Sequence, residues 1–255
     1  RLMGRVLTAA LEKFPGLRLA AISGGQFDNV ICSRCDAVVA LPKGSGAAFT
    51  AFIREFDAAL KNEYAVTDPD VTLTCAAAET AKAVSAERTV TLVQALTAMP
   101  QGVEAMDTDF PGLVQTSLNM GVVKLDGDGL HIAFSIRSSI ASRKLMLAQR
   151  VRAVAALAGG TVAERGVYPG WQYKRESQFR DTLLAAYKDL TGKDGVVEAT
   201  HGGLECGLLM EKIPGLDAVS MGPELHDVHS VRERLSVPST ERTYELVCEL
   251  LRRSC

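Results

Sequence analysis

The feature that most constrains the fold is a long hairpin pattern between residues 113 and 137. Apolar and β-prone residues run from Leu113 to Leu125 and from Leu130 to Arg137, and Asp126-Gly127-Asp128-Gly129 separates the two runs. Gly and Asp supply the positive φ angles that a tight turn demands. In the second run every other residue is apolar, so one face of that strand should be core and the opposite face, which carries Arg137, should be free for contacts.

Amphipathic helices and short β-prone runs surround this hairpin. Apolar spacing and Gly or Pro stops predict helices over 1–14, 49–60, 85–99 and 139–157, and strands over 17–22, 30–32, 35–41 and 71–75. The fold class that this pattern indicates for residues 1–161 is an α+β domain, an antiparallel sheet with helices on one face.

The pattern changes after Gly159-Gly160. Strands are predicted over 161–167, 196–199 and 218–221, and they alternate with helices over 178–190, from 203 and over 239–252. Such alternation is typical of a mostly parallel α/β sheet with its ligand site past the carboxyl ends of the strands. We therefore predict a second domain over 162–255 and look for its site in the loops 200–205 and 222–236.

Composition excludes some classes of partner. The 28 basic and 30 acidic residues nearly cancel and no basic run occurs, so nucleic acid is not expected as a partner. No apolar stretch approaches the roughly 20 residues of a membrane span. The six Cys among apolar neighbours favour a reducing, cytoplasmic compartment. The helical pattern starts at Arg1 without a preceding cap, so we expect this to be a piece of a longer protein.

Three of the four histidines, His201, His226 and His229, fall in the two loops selected above. Imidazole is the commonest metal ligand and titrates nearest neutrality, so the cluster indicates metal binding or acid-base chemistry, with solvated loop histidines as the alternative. The pair Cys32 and Cys35 has spacing that can bind zinc or perform redox chemistry, but no second ligand pair lies within the usual window, and two strand-end thiols are the simpler interpretation.

Seven short segments, in register over about 200 residues, resemble the bacterial aminoacyl-histidine dipeptidases. They are Gly24–Asn29, Thr116–Val123, Ser135–Ser138, Tyr168–Trp171, His201–Leu208, Val219–Pro223 and Val228–Glu233. The first three are similar to that family's inserted lid domain, and the last four to the closing part of its catalytic domain. The resemblance covers nearly the whole chain.

The resemblance implies a catalytic domain interrupted by a lid, with two zinc ions and a metal-activated water. Most of the family's zinc ligands and its general base precede the lid, and nothing in residues 1–161 matches them. His229 matches the distal zinc ligand, while Asn29, Arg137 and Gly203 match substrate contacts. We therefore assign no catalytic residue to this chain and expect it to hold no zinc stably by itself.

The resemblance implies a zinc metallodipeptidase that hydrolyses unblocked dipeptides of the Xaa-His type, with broad specificity, once the missing half of the catalytic domain is present. The alternative is a non-catalytic lid and dimerisation module, which would form a homodimer through the lid. A third hypothesis is a redox or zinc protein that uses Cys32 and Cys35. Substrate preference and oligomeric state cannot be read from the sequence, because related scaffolds serve several reactions.

Overall fold

A computed structural model describes residues 1–79, 82–127, 129–201, 203–228 and 230–254. The chain forms two compact units. Unit 1 comprises Arg1–Ala105, Thr116–Ile136 and Ser142–Arg165, and unit 2 comprises Met106–Gln115, Arg137–Ala141 and Gly166–Cys255. The division is therefore interleaved along the chain, and the domain boundary proposed at 161/162 remains a prediction.

Unit 1 is built on a mixed arrangement of helices and a five-stranded sheet. Its strands follow the order β2-β1-β4-β3, with β5 paired to β4, and β1 runs antiparallel to both β2 and β4. The elements are α1 (Leu2–Lys13), β1 (Arg18–Gly24), β2 (Cys35–Ala40), α2 (Gly46–Glu63), α3 (Ala86–Ala98), β3 (Gly102–Met106), β4 (Val114–Asp126), β5 (Gly129–Ser138) and α4 (Ala141–Leu157).

Apolar residues at helical and strand spacing bury the core of this unit. Leu7 of α1 and Val93 of α3 pack with Leu19 of β1, each at most 3% exposed. The long strand β4 contributes Leu118, which packs against Leu147 of α4. In β5, alternate residues are exposed or contact the core, which confirms the predicted two faces and leaves Arg137 exposed.

Among its described residues, unit 2 contains three helices and one small hairpin. Its elements are α5 (Gln178–Thr191), α6 (Glu205–Lys212), β6 (Leu225–His226), β7 (Arg234–Leu235) and α7 (Val237–Ser254). Its buried apolar cluster joins α5 to α7 through Ala186, Leu246 and Leu250. The side chain of Ser177 caps α5 by accepting a hydrogen bond of 3.1 Å from the Arg180 amide.

The predicted parallel sheet of residues 162–255 is wrong for this chain. The segments 161–167, 196–199 and 218–221 are all described and none is a strand. A strand needs a neighbour to pair with its backbone groups, and apolar periodicity alone cannot supply one. Val167 and Val196 are 72% and 84% exposed, so these apolar segments are also unburied. The strands predicted over 30–32 and 71–75 are likewise irregular.

The helices and the other strands lie within a few residues of their predicted positions, whereas β3, β6 and β7 have no counterpart in the sequence prediction. In the described part of the chain no helix is both long and apolar enough to cross a membrane.

Candidate functional site

Asn29 lies in an exposed turn that follows β1. The turn is closed by a hydrogen bond of 3.3 Å from the Val30 amide to the Phe27 carbonyl. Large apolar side chains flank Asn29 and face solvent, since Phe27 is 61%, Val30 53% and Ile31 80% exposed. Apolar side chains of this size are normally buried, so an exposed group of them indicates a contact surface. Asn29 is thus presented among apolar neighbours.

The Asn29 turn lies directly against strand β4. The Asn119 side chain of β4 donates hydrogen bonds from Nδ2 to the carbonyls of Asp28 (2.8 Å) and Val30 (2.9 Å). The backbone approach requires glycine at two positions. A Cβ on Gly121 would lie 2.3 Å from the Phe27 oxygen, and one on Gly25, which has a φ of +73°, would lie 1.7 Å from the Gly121 oxygen.

In unit 2, Arg137 at the end of β5 lies near His201. Partial burial, and then the positive charge of Arg137, lower the pKa of the His201 imidazole below its ordinary value. His201 is therefore mainly neutral near pH 7. A neutral imidazole beside a guanidinium presents hydrogen-bonding groups and one net positive charge, which suits a carboxylate.

Gly203 follows this histidine and lies beneath the ring of Tyr168. A Cβ at Gly203 would be 2.4 Å from Cδ1 of Tyr168, so only glycine lets the ring take this place. Burial, and then the charges of Glu205 and Cys206, raise the pKa of the Tyr168 hydroxyl. An aromatic ring of the same unit therefore occupies the space next to Gly203, and the substrate contact predicted at Gly203 stays a prediction.

The segment Tyr168–Trp171 packs against both sides of this region through two further glycines. A Cβ at Gly170 would lie 2.6 Å from the carbonyl oxygen of Ser138, the residue after Arg137. On α6, a Cβ at Gly207 would lie 3.2 Å from the carbonyl oxygen of Pro169. Segment 168–171 therefore packs against both the end of β5 and helix α6.

A network of polar contacts holds the next part of this segment. The carboxylate of Asp217 accepts hydrogen bonds from Ser177 Oγ (2.8 Å) and from the amide of Phe179 (3.2 Å), at the first turn of α5. Burial opposes the charged form, but these hydrogen bonds and Lys174 outweigh it, so the pKa of Asp217 is lowered. Arg180 stacks over the ring of Tyr173, with 4.9 Å to its centroid.

Gln115 is a polar residue of unit 2 that sequence reasoning missed. It is 7% exposed, and its backbone carbonyl oxygen accepts a hydrogen bond of 3.2 Å from the Ser139 backbone amide. Its side-chain Oε1 is buried and has no hydrogen-bond partner within the described residues. Leaving such an acceptor unpaired costs about 1–3 kcal/mol, so a donor is expected to reach it in the working protein.

His229, the predicted zinc ligand, lies outside the described residues. The residues on either side of it form the β6 and β7 hairpin, in which Leu225 pairs with Leu235. Asp227 has a left-handed φ of 52° and forms an ion pair of 3.2 Å with Arg234. The prediction that a strand over 218–221 leads into this loop is wrong, because that segment is irregular.

The described residues do not by themselves form a metal site. Within residues 1–79, 82–127, 129–201, 203–228 and 230–254, no three or more His, Cys, Asp or Glu side chains are grouped to hold an ion. Cys32 and Cys35 are free thiols, and burial followed by the Cys32 charge raises the pKa of Cys35 to about 11. A thiol that stays protonated near neutral pH is a poor nucleophile.

The structure thus brings Arg137 and Gly203 into one unit, together with His201 and Tyr168, and places Asn29 in the other unit. The sequence marked His201 as a loop histidine but could not show that Arg137 lies beside it. Asn119 was also missed as a contributor, although it stands in one of the motif segments.

Comparison with known proteins gives consistent matches. The family described as a peptidase dimerisation domain (M20_dimer) matches residues 1–68. Cytosol non-specific dipeptidase of Escherichia coli (strain K12) is 31% identical over 253 residues, which are 99% of this chain and 52% of that protein. The crystal structure of aminoacylhistidine dipeptidase from Vibrio alginolyticus superposes with a TM-score of 0.90 at 29% identity, over 99% of this chain and 52% of that one. The chain therefore spans about half the length of these relatives.

Proposed function

Because the chain is a homologue of cytosol non-specific dipeptidase and of aminoacylhistidine dipeptidase, we propose that it forms part of a dipeptidase of that kind. This homology confirms the resemblance drawn from the sequence motifs. In the proposal, the chain supplies the lid and the closing part of the catalytic domain. The reaction is hydrolysis of unblocked dipeptides, including those that end in histidine, in a cytoplasmic enzyme.

The observation that carries the proposal is the grouping of Arg137, His201 and Gly203 in unit 2. A dipeptide ends in a free carboxylate, which a planar guanidinium grips with two parallel hydrogen bonds. His201, kept neutral by burial and by Arg137, adds a hydrogen-bonding group without a second charge. We assign the substrate carboxylate to Arg137, and we assign Asn29 and Gly203 as further substrate contacts.

Zinc belongs to the proposal for the longer protein, in which His229 would be one of several ligands. Structural and catalytic zinc sites take three or four protein ligands, and one histidine cannot hold the ion. We assign His229 as one ligand, with the others contributed by the remainder of the catalytic domain. The ion, when bound, would activate the attacking water.

Exposed apolar side chains in unit 2 support the proposal that a further segment of chain packs against this unit. Val167 and Val196 lie in segments with apolar sequences that form no strand, and both are mainly exposed. Leu225 and Leu235, which pair across the small hairpin, are each 48% exposed. Burying such side chains stabilises a fold by about 1.5–3 kcal/mol each, so surface of this kind fits an interface with further chain.

The test compares the 255-residue chain with the longer protein. We expect the longer protein, supplied with zinc, to hydrolyse alanyl-histidine but not N-acetyl-alanyl-histidine, and the chain alone to hydrolyse neither. Arg137→Lys in the longer protein should lower kcat/KM for alanyl-histidine about tenfold or more, while the melting temperature changes little, because the ammonium group lacks the guanidinium fork. Hydrolysis by the purified chain alone, or unchanged kinetics in Arg137→Lys, would contradict the proposal.

A second function, a lid that serves dimerisation without catalysis, is favoured by the match of residues 1–68 to a peptidase dimerisation domain. Sedimentation equilibrium of the chain alone, followed by an activity assay of its mixture with the remainder of the protein, distinguishes the two. A dimer whose addition to the remainder of the protein produces no hydrolysis would support this second function. Restored hydrolysis in the mixture would support the first.

A further inference from the structure

We propose that Asn119 is a positioning residue for Asn29, because its side-chain amide holds the two backbone carbonyls on either side of Asn29. The inference rests on the proposed role of Asn29 as a substrate contact and adds the group that fixes its place. Asn119 acts through the backbone of the turn. No contact between Asn119 and substrate is part of the proposal.

The geometry uses both donors of one amide. Nδ2 of Asn119 lies 2.8 Å from the Asp28 oxygen and 2.9 Å from the Val30 oxygen, so each of its two N–H groups has an acceptor. This also fixes the orientation of the amide, since Oδ1 would repel both carbonyls. Asp is nearly the same shape but has no N–H, so it cannot replace Asn at this position.

Besides the backbone packing against Gly121, the other contacts described for this turn contribute little to the position of Asn29. The hydrogen bond that closes the turn, from Val30 to Phe27, is long at 3.3 Å. Apolar burial contributes little, because Phe27, Val30 and Ile31 are all more than half exposed. Among the hydrogen bonds described for this turn, the two from Asn119 are the ones that hold the carbonyls flanking Asn29 at a set separation.

Asn119 itself stands on a rigid part of unit 1. Its neighbours along β4, Leu118 and Met120, are 2% and 6% exposed and pack in the core. The Met120 amide donates a hydrogen bond of 2.7 Å to Oε1 of Gln101. A side chain carried by a buried strand keeps its position better than one on a loop. The position of Asn29 is thus set by contacts with the core of the unit and not by the turn alone.

The consequence concerns binding more than turnover. A contact residue that is already in place loses less conformational entropy when the substrate binds. Releasing the turn should therefore raise KM for a dipeptide, with kcat changed less, and should do so only through Asn29. This dependence on Asn29 separates positioning from a merely structural contribution to the fold.

The first test uses the 255-residue chain. Hydrogen–deuterium exchange is measured for the turn 27–31 in the original chain, in Asn119→Asp, and in the control Asn62→Asp, which makes the same chemical change at an exposed position of α2. We expect the Val30 amide to exchange about tenfold faster in Asn119→Asp, because two hydrogen bonds are lost, and to be unchanged in the control. Equal exchange in all three proteins would overturn the inference.

The second test is a double-mutant cycle in the longer protein with alanyl-histidine. Asn29→Ala and Asn119→Asp should each raise KM about tenfold, and the double variant should resemble Asn29→Ala alone. If Asn29→Ala leaves KM unchanged, the substrate role proposed for Asn29 fails. If Asn29→Ala raises KM and Asn119→Asp adds its full effect on top, the substrate role stands and positioning by Asn119 is overturned. Should Asn119→Asp not fold, Asn119→Ala, which adds no charge, takes its place in both tests with the same expected results.

Discussion

His201 and Arg137 are neighbours in unit 2: partial burial, and then the charge of Arg137, lower the pKa of the His201 imidazole. Removing the charge should raise this pKa, but it should stay below its ordinary value because burial is the larger cause. NMR titration of the histidine ring protons in Arg137→Gln measures the effect, with Arg143→Gln, an exposed residue of α4, as a charge-matched control. An equal pKa in both variants would show that Arg137 does not act on His201.

The lowered pKa of His201 also makes the stability of the folded chain depend on pH. Because the folded state binds the proton less well than the unfolded state, His201 contributes stability that is present above its unfolded pKa, about 6.5, and is lost as pH falls through the folded value. The stability lost between pH 7 and pH 5 should therefore be smaller in Arg137→Gln than in the original chain. Urea unfolding at the two pH values measures this loss, and the Arg143→Gln control should keep the original loss.

Gly170→Ala should destabilise unit 2. The added Cβ would lie 2.6 and 2.7 Å from the backbone oxygens of Ser138 and Ser139, which cannot move as freely as a side chain. We expect a loss of about 1–3 kcal/mol in the free energy of unfolding, measured with urea. Gly222→Ala is the control, since its Cβ would meet nothing within 4 Å. Equal stability of the two variants would contradict the packing described for segment 168–171.

Asp217→Asn should weaken the start of α5 and make the stability of the chain less sensitive to acidification. The pKa of Asp217 is lowered because hydrogen bonds from Ser177 and Phe179, with Lys174, outweigh its burial. Its contribution is therefore present above the unfolded pKa, near 3.9, and is lost as pH falls through the folded value. Melting temperatures between pH 2.5 and 7 should fall less steeply on acidification in Asp217→Asn. The exposed Asp194→Asn, which removes the same charge, should retain the original slope.

His229→Ala in the longer protein should remove one of two zinc ions and nearly all hydrolysis of alanyl-histidine, because the remaining ligands cannot complete that ion's coordination. The control is His226→Ala, since His226 is exposed on β6. Metal analysis of the purified variants decides the matter. A variant at position 229 that still holds two zinc ions and still hydrolyses alanyl-histidine would exclude this residue from the metal site.

Much of unit 1 could be predicted from the sequence, because its elements bury their own apolar faces. The alternation in β5 and the helical spacing around Leu7 and Val93 correspond to contacts made within this unit. The strands predicted in residues 162–255 failed for a physical reason. Periodicity around Val167 and Val196 records which side chains are apolar, but pairing depends on a neighbouring strand.

The candidate residues of the site follow from the motif segments, whereas their geometry could not be predicted. The motif segments point to Asn29, Arg137 and Gly203. The proximity of Arg137 to His201, however, joins two residues that are 64 positions apart in the sequence. No local spacing rule reaches so far. The hydrogen bonds of Asn119 to residues 28 and 30 could not be predicted from the sequence for the same reason.

The contact between Gly25 and Gly121 bears on how this sequence can evolve. Each position is closed to any side chain by the backbone of the opposite segment, since a Cβ on Gly25 would fall 1.7 Å from the Gly121 oxygen and one on Gly121 would fall 2.3 Å from the Phe27 oxygen. A mutation at one cannot be rescued by a smaller residue at the other, because glycine is already the smallest. Both positions must therefore stay glycine for the turn that carries Asn29 to keep its contact with the strand.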